Sequence, residues 1–196
     1  MSSAGRLTLR RTAIAAALLV AGCLPACRGR GGDADLRGVP DLVRPGEALQ
    51  MARSLPAVPG AGDAVALVVR TTDKHDELRI GRRAGDGWKV VHSSRPGDEF
   101  RNLLVEDVNA DGRPELVSRW AGGQIEIVEV LGRGADDVWS PMLQNGAEVI
   151  EERRRPDRTV AFWLTSRTYE EDPGHPTVYQ TIVYGWNGRA FVEEPR

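Results

Sequence analysis

The stretch LVEDVNADGRPELV, residues 104–117, places a polar turn between two apolar, strand-like runs. Asp107, Asn109 and Asp111 stand at alternate positions, a glycine follows, and Glu115 stands just before the second apolar run. The flanking runs have the apolar or alternating pattern of β-strands rather than a helical period. The sequence therefore predicts a β-hairpin with an acidic loop at its tip.

The spacing of the loop residues suits a hard cation. Calcium prefers oxygen ligands, and Asp107, Asn109 and Asp111 would supply side-chain oxygens, Arg113 a backbone carbonyl and Glu115 a further carboxylate. An EF-hand would also need a final bidentate Glu and two flanking helices, which this segment lacks. We therefore predict one structural Ca²⁺ site in a hairpin. The alternative is a tight turn whose polar side chains only cap their own backbone.

Three similar units follow one another between residues 66 and 192. The first run of each unit is apolar (ALVVR at 66–70, ELVSR at 115–119, VAFWL at 160–164). The second alternates (ELRIG at 77–81, QIEIV at 124–128, YQTIVY at 179–184), and the third carries an aromatic residue (WKVV at 88–91, VWSP at 138–141, GRAFV at 188–192). The repeat length of roughly 45 to 50 residues is typical of propeller blades. A generic β-meander, whose strands share only their alternation, is the alternative.

The predicted fold is all-β, with antiparallel blade-like hairpin repeats arranged as a partial propeller or a sandwich. Patterns such as IEIVEV (125–130) and VYQTIVY (178–184) predict sheets with one buried and one wet face. The expected strands are 64–70, 77–82, 88–92, 101–106, 114–120, 124–131, 138–143, 148–152, 159–168, 178–186 and 190–193. The five tryptophans are spread over the three units, which favours core positions over an exposed carbohydrate-binding platform.

The segment LLVEDVNADGRPELV, residues 103–117, resembles one copy of the FG-GAP/VCBS repeat, the calcium-loop blade of integrin-like β-propellers and many secreted bacterial proteins. The resemblance covers residues 98–143. It implies that Ca²⁺ binds at the hairpin between the first two strands of a blade, through Asp107, Asn109, Asp111, Glu115 and the Arg113 carbonyl. Only the middle unit has such a loop, and three units are fewer than a closed propeller contains.

The N-terminus has the layout of a bacterial export signal. Residues 1–22 contain three arginines before a short apolar run, and that run is too short to span a membrane. The sequence VAGC at 20–23 resembles the lipobox of bacterial lipoproteins, in which Cys23 becomes the lipid-bearing first residue. An ordinary secretory signal with an incidental cysteine is the alternative. We expect an exported protein, lipid-anchored to a membrane of the cell envelope.

Residues 23–62 are rich in Gly, Arg and Pro and are predicted to be a flexible linker. Within them, EALQMARSL at 47–55 is predicted to form a helix of two turns or to remain part of the tether. The second thiol, Cys27, lies in this linker and has no partner once Cys23 carries lipid. The β domain is expected to span residues 63–196.

Composition and motifs narrow the function. The net charge is −2, and removal of the signal takes away three arginines and no acidic residue, which disfavours nucleic acid as a partner. His75, His92 and His175 lack metal-binding spacing, and the chain has no Gly-x-Ser-x-Gly elbow, Gly-rich phosphate loop or C-x-x-C pair. We therefore expect no catalytic residue and no enzyme, but a module that binds a protein or glycan at the envelope.

The alternative is an envelope glycan-active enzyme or its accessory domain. Glycoside chemistry needs two carboxyl groups that flank one cleft, and neighbouring acids such as Glu151 and Glu152 are the candidates. The two classes of function are distinguished by whether such a pair converges in a cleft or is separated by the fold.

Overall fold

A computed structural model describes residues 38–56, 62–134, 137–168 and 178–195. These residues form twelve β-strands, one short 3-10 helix at Val39–Leu42, and no α-helix. The strands are β1 Ala48–Ser54, β2 Ala64–Arg70, β3 Asp76–Ala84, β4 Gly87–Ser94, β5 Glu99–Glu106, β6 Glu115–Gly122, β7 Ile125–Arg133, β8 Trp139–Ala147, β9 Val149–Arg154, β10 Val160–Thr168, β11 Val178–Trp186 and β12 Phe191–Glu193.

The strands form three four-stranded antiparallel sheets, each built from four consecutive strands. We call them the first sheet (β1–β4), the middle sheet (β5–β8) and the third sheet (β9–β12). The predicted all-β fold of antiparallel, blade-like hairpin repeats is thereby confirmed. The three apolar runs are the second strands of their sheets, β2, β6 and β10, and the runs that follow each of them are the third and fourth strands.

Two hydrophobic cores hold the sheets in a stack. The core between the first and middle sheets contains Leu55, Ala64, Ala66, Val68, Leu78, Ile80, Leu103, Leu116, Trp120, Leu131 and Trp139. The core between the middle and third sheets contains Val108, Val117, Val128, Val130, Leu143, Ala147, Ile150, Val160, Phe162, Leu164 and Phe191. Because successive side chains of a strand point to opposite faces, β6 and β7 supply residues to both cores.

The centre of the middle sheet is buried on both faces. The prediction of one solvent-exposed face for the pattern at 125–130 is therefore wrong. Val128 and Val130 of β7 face the third sheet, whereas Glu129 faces the first sheet and is only 2% exposed. Ser94 and Ser118 donate hydrogen bonds to the same Glu129 oxygen, at 2.8 and 3.2 Å. The alternating pattern predicts that Glu129 faces solvent, but the first sheet packs on that face of the middle sheet and buries it.

The helix predicted at 47–55 is also wrong, because most of this segment is strand β1, which pairs antiparallel with β2. Strand β2 is buried from Ala64 to Val69, so its backbone N–H and C=O groups need hydrogen-bond partners on both edges. Strand β3 supplies one edge and β1 the other. The folded part of the chain thus extends into the segment expected to be linker.

The outer face of the first sheet is covered by residues 38–47, which we call the N-terminal cap. Val39 and Leu42 of the cap pack on Val65 and Leu67 of β2. Glu47 holds the cap through a two-pronged ion pair with Arg79, both contacts being 2.6 Å, and Arg79 also donates to the Leu42 carbonyl at 3.0 Å. Arg79 is 1% exposed, so this ion pair lies in the interior.

The tryptophans occupy three kinds of position. Trp120 and Trp139 are buried in the core between the first and middle sheets. Trp88 packs beside the N-terminal cap, and Trp186 packs against the core of the third sheet. Trp163 differs, because it lies on the face of the third sheet that points away from the middle sheet.

The predicted signal at 1–22, the lipid-bearing Cys23 and the second thiol Cys27 lie outside the described residues. Export and lipid anchoring accordingly stay predictions from the sequence. His175 and the acidic residues at 170–172 also fall outside the described ranges. Among the described residues, no helix has the length and apolar character needed to cross a membrane.

Candidate functional site: the acidic hairpin loop

The acidic loop joins β5 to β6 in the middle sheet. The two strands pair from Glu99 opposite Ala121 to Glu106 opposite Glu115, so the loop closes directly beyond the last pair. Ala110 and Gly112 have positive φ angles of 62° and 84°, the left-handed conformation that a tight reversal requires. The prediction of a hairpin with this loop at its tip is confirmed.

Three side chains of the loop accept hydrogen bonds from its own backbone. Asp107 Oδ2 accepts from the Gly112 N–H at 3.0 Å. Asn109 Oδ1 accepts from the Asp111 N–H at 2.9 Å, and Asp111 Oδ1 accepts from the Arg113 N–H at 2.8 Å. These local bonds stabilise a compact turn whether or not an ion is bound.

Glu115 closes the base of the loop from inside. Its two carboxylate oxygens accept hydrogen bonds from the Val108 N–H at 3.0 Å and from the Asn109 side-chain amide at 3.1 Å. The residue is 3% exposed. Burial raises the pKa of Glu115 to about 7, the hydrogen bond from Val108 opposes this rise, and the charges of Asp111 and Asp107 add to it.

Asp107 carries the least compensated oxygen of the loop. Its Oδ1 atom is buried and has no hydrogen-bond partner among the described residues, although Oδ2 is occupied by the Gly112 N–H. A buried carboxylate oxygen without a donor or cation is costly. Together with the raised pKa of Glu115, this orphan oxygen means that the loop holds more negative charge than its own N–H groups compensate.

The five residues predicted as calcium ligands therefore share one loop, although two point in different directions. Asp111 is exposed at the tip, whereas Glu115 is turned inward to the base. No described residue donates a hydrogen bond to the Arg113 carbonyl oxygen, so this oxygen is available to a cation. Within the described ranges, no three His, Cys, Asp or Glu side chains form a ready metal-binding group.

The loop also contacts the third sheet, which the sequence did not predict. The Val160 N–H of β10 donates to the Val108 carbonyl at 2.8 Å, and Val108 is 1% exposed in the core between the two sheets. Arg154 of β9 forms an ion pair with Glu106 and donates to the Arg158 carbonyl at 2.6 Å. No local motif announces such contacts, because they join residues far apart in the chain.

A cleft of about 340 Å³ opens where the loop meets the third sheet. It is lined by Glu106 and Asp107 on one side and by Arg154 and Arg158 on the other. The cleft is walled only by charged side chains, two of each sign. The acidic loop is thus one side of a junction between two sheets rather than an isolated tip.

The neighbouring acids Glu151 and Glu152 are separated by the fold. Glu151 forms an ion pair with Arg153 at 2.6 Å on the outer face of the third sheet. Glu152 points the other way and pairs with Arg119 of the middle sheet at 2.8 Å.

Of the histidines, His75 lies 3.7 Å from Asp98, and burial lowers the pKa of His92, which accepts no hydrogen bond at Nε2 from the described residues.

Comparison with known proteins found no matching family model, no matching curated protein and no matching solved structure.

Proposed function

We propose that the loop at 107–115 binds one structural Ca²⁺ ion, and that the protein is an exported, lipid-anchored, non-enzymatic module that binds a partner at the cell envelope. The observation that carries the calcium assignment is the buried Asp107 Oδ1, which has no donor among the described residues. A cation would compensate such an oxygen, and the resemblance to FG-GAP/VCBS repeats supports Ca²⁺. The VAGC sequence at 20–23 supports the lipid anchor at Cys23.

The chemistry of the loop favours Ca²⁺ over other ions. Every available ligand is an oxygen, from carboxylates, an amide and the Arg113 carbonyl, and hard divalent cations prefer this set. Calcium accepts the irregular geometry of a flexible loop, whereas Mg²⁺ demands a near-ideal octahedron and retains its waters. The ion would offset the repulsion among Asp107, Asp111 and Glu115, so its role is to stabilise the fold.

Thermal unfolding tests this proposal. The full chain carrying Cys23→Ser and Cys27→Ser, which we call the unlipidated chain, is unfolded in excess EDTA, in Ca²⁺ and in Mg²⁺. At a free Ca²⁺ concentration 100 times Kd, binding to the folded state adds about 2.7 kcal/mol. For a chain of this size that corresponds to a rise in Tm of about 5–10 °C. We expect such a rise with Ca²⁺ and little rise with Mg²⁺.

A pair of matched double variants locates the ion. Asp107→Ala with Asp111→Ala should fold in EDTA and lose the calcium-dependent rise in Tm. The control replaces two acids in turns of the first sheet, Asp73 between β2 and β3 and Asp86 between β3 and β4, and should keep the full rise. If the loop variant still responds to Ca²⁺ like the unlipidated chain, the assignment is wrong.

A further inference from the structure

One large sheet face of the stack is not covered by any of the described residues. The two inner cores cover four of the six sheet faces, and the N-terminal cap covers the outer face of the first sheet. The remaining face belongs to the third sheet and points away from the middle sheet. A sheet normally buries one face against another layer, so this exposed face marks a place where a further layer fits.

The strand registers map this outer face as cross-strand rows. Glu151, Trp163 and Val183 form the central row, and Val149, Thr165 and Thr181 form the next. Arg153 stacks on the Trp163 ring, with its guanidinium carbon 3.9 Å from the ring centroid. Trp163 thus lies at the centre of the face, between Glu151 and Val183, with the row of apolar and hydroxyl-bearing side chains beside it.

The composition of the face is that of a protein–protein interface. Val149, Tyr179 and Val192 are 51%, 64% and 40% exposed, which is high for apolar and aromatic side chains of a sheet. Tryptophan, tyrosine and arginine are the residues most enriched among those that dominate binding energy at interfaces. The central Trp163 with its stacked Arg153 has the character of such an anchor.

The charges of the face are already paired within it. Arg153 contacts Glu151 at 2.6 Å, and Arg155 contacts Glu194 at 2.5 Å. The two pairs leave this part of the face neutral, so two copies of it can approach each other without like-charge repulsion. A strongly acidic or basic partner would gain no electrostatic attraction from this neutral surface, whereas an identical neutral surface can pack on it without repulsion.

The N-terminal cap decides how two copies can meet. Stacking of the third sheet on the first sheet of another molecule would continue without limit, but Val39 and Leu42 occupy that first-sheet face, and Glu47 fixes the cap to Arg79. Among the described residues the third sheet alone offers an open face. Two such faces can pair only with each other, around a two-fold axis, and this arrangement closes at a dimer.

The size of the face sets the expected strength. Four short strands about 4.8 Å apart cover about 400 Å² in plan. Side-chain relief increases the accessible area, so two faces together bury on the order of 1,000 Å², the lower limit of a specific interface. An interface of this size gives a weak, concentration-dependent dimer with a dissociation constant in the micromolar range.

We propose that the protein forms a two-fold symmetric homodimer in which the outer faces of the two third sheets pack on each other, with Trp163 and its stacked Arg153 at the centre. The two sheets then form an aligned sandwich, about 10 Å apart, as pairs of antiparallel sheets do within single domains. None of the residues named on this face belongs to the calcium loop, which contacts the opposite, inner face of the third sheet.

Sedimentation velocity over a concentration series tests the dimer, with the unlipidated chain in EDTA so that the calcium proposal plays no part. We expect the weight-average sedimentation coefficient to rise from the monomer value toward the dimer value. Val149→Glu places a charge on the packed face and should raise the dissociation constant about tenfold or more. Val138→Glu is the matched control and should leave association unchanged, because Val138 is 57% exposed but lies directly before β8 of the middle sheet.

A second variant, Trp163→Ala, should weaken association as Val149→Glu does, and circular dichroism should verify that each variant remains folded. A monomer at every concentration overturns the proposal, and so does association that Val149→Glu and Trp163→Ala leave unchanged. Species larger than a dimer whose amounts grow with concentration overturn the two-fold arrangement. Loss of association in Val138→Glu to the same extent as in Val149→Glu overturns the assignment of the face.

Discussion

At the scale of single residues, Glu129 is a carboxyl group held inside a core. Burial raises its pKa, while the hydrogen bonds from Ser94 and Ser118 act in the opposite direction. The folded state therefore binds the Glu129 proton more tightly than the unfolded state does. Stability linked to this group is complete below the ordinary pKa of glutamate and is lost as pH rises toward the folded-state pKa, with a slope of about 1.4 kcal/mol per pH unit.

We predict that Glu129→Gln removes this loss, so that the variant gains stability over the wild type as pH rises from 4.5 to 8. The measurement is urea unfolding in EDTA across that range, and the difference between the two proteins isolates Glu129 from His92 and Glu115, which titrate in both. Ser94→Ala should enlarge the loss of stability with rising pH, because it removes a hydrogen-bond donor that favours the ionised form of Glu129. Parallel stability curves for wild type and Glu129→Gln would contradict the prediction.

At the scale of elements, the N-terminal cap depends on one buried ion pair. Arg79 is 1% exposed and the Glu47 side chain 5%, and Arg79 also pairs with the less buried Glu77 at 2.8 Å. Removal of Arg79 therefore leaves the buried Glu47 charge without its partner. We predict that Arg79→Met lowers the free energy of unfolding by about 3–5 kcal/mol, measured by urea unfolding. It should also speed proteolysis within residues 38–56, because the cap loses its anchor.

The double variant Arg79→Met with Glu47→Leu is the control for this prediction. It replaces both buried charges by apolar groups and leaves only the partly exposed Glu77 without its partner, so it should recover much of the loss. A buried pair contributes little net stability over well-packed hydrophobic residues. A loss in Arg79→Met of less than about 1 kcal/mol, or equal losses in the single and double variants, would show that the pair does not hold the cap.

The elements also show what local sequence can and cannot predict. Strands β2 and β11 match the expected ranges because a continuous apolar run and a clear alternation mark them. Strand β1 lies where the sequence predicts a helix, since Ala, Leu, Gln, Met and Arg favour helix and only pairing with β2 makes the segment a strand. Its conformation is set by the backbone needs of a buried neighbour distant in sequence, which no local pattern encodes.

At the scale of the whole molecule, the loop residues were predictable and their surroundings were not. Alternate Asp and Asn positions before a glycine identify Asp107, Asn109 and Asp111 from spacing alone. Arg154 and Val160 reach the loop only because the third sheet stacks on the middle sheet. The order in which the sheets stack depends on which sheet has apolar side chains on both of its faces. The buried acidic Glu129 hides this two-sided apolar character in the sequence of β7.

The junction of the loop and the third sheet makes a last prediction, which depends on the proposed calcium site. Ordering of the loop fixes Val108, whose carbonyl accepts the Val160 N–H. Ca²⁺ should therefore slow amide hydrogen exchange in two places, residues 108–116 and residues 160–162, more than in β3 of the first sheet. Among the described residues, β3 shares no hydrogen bond or ion pair with the loop. Exchange of the unlipidated chain in Ca²⁺ and in EDTA, read by mass spectrometry of peptides, measures this. Slowing confined to the loop would mean that the ion does not couple the middle and third sheets. Equal slowing at residues 108–116, at residues 160–162 and in β3 would mean that the three sheets open only together.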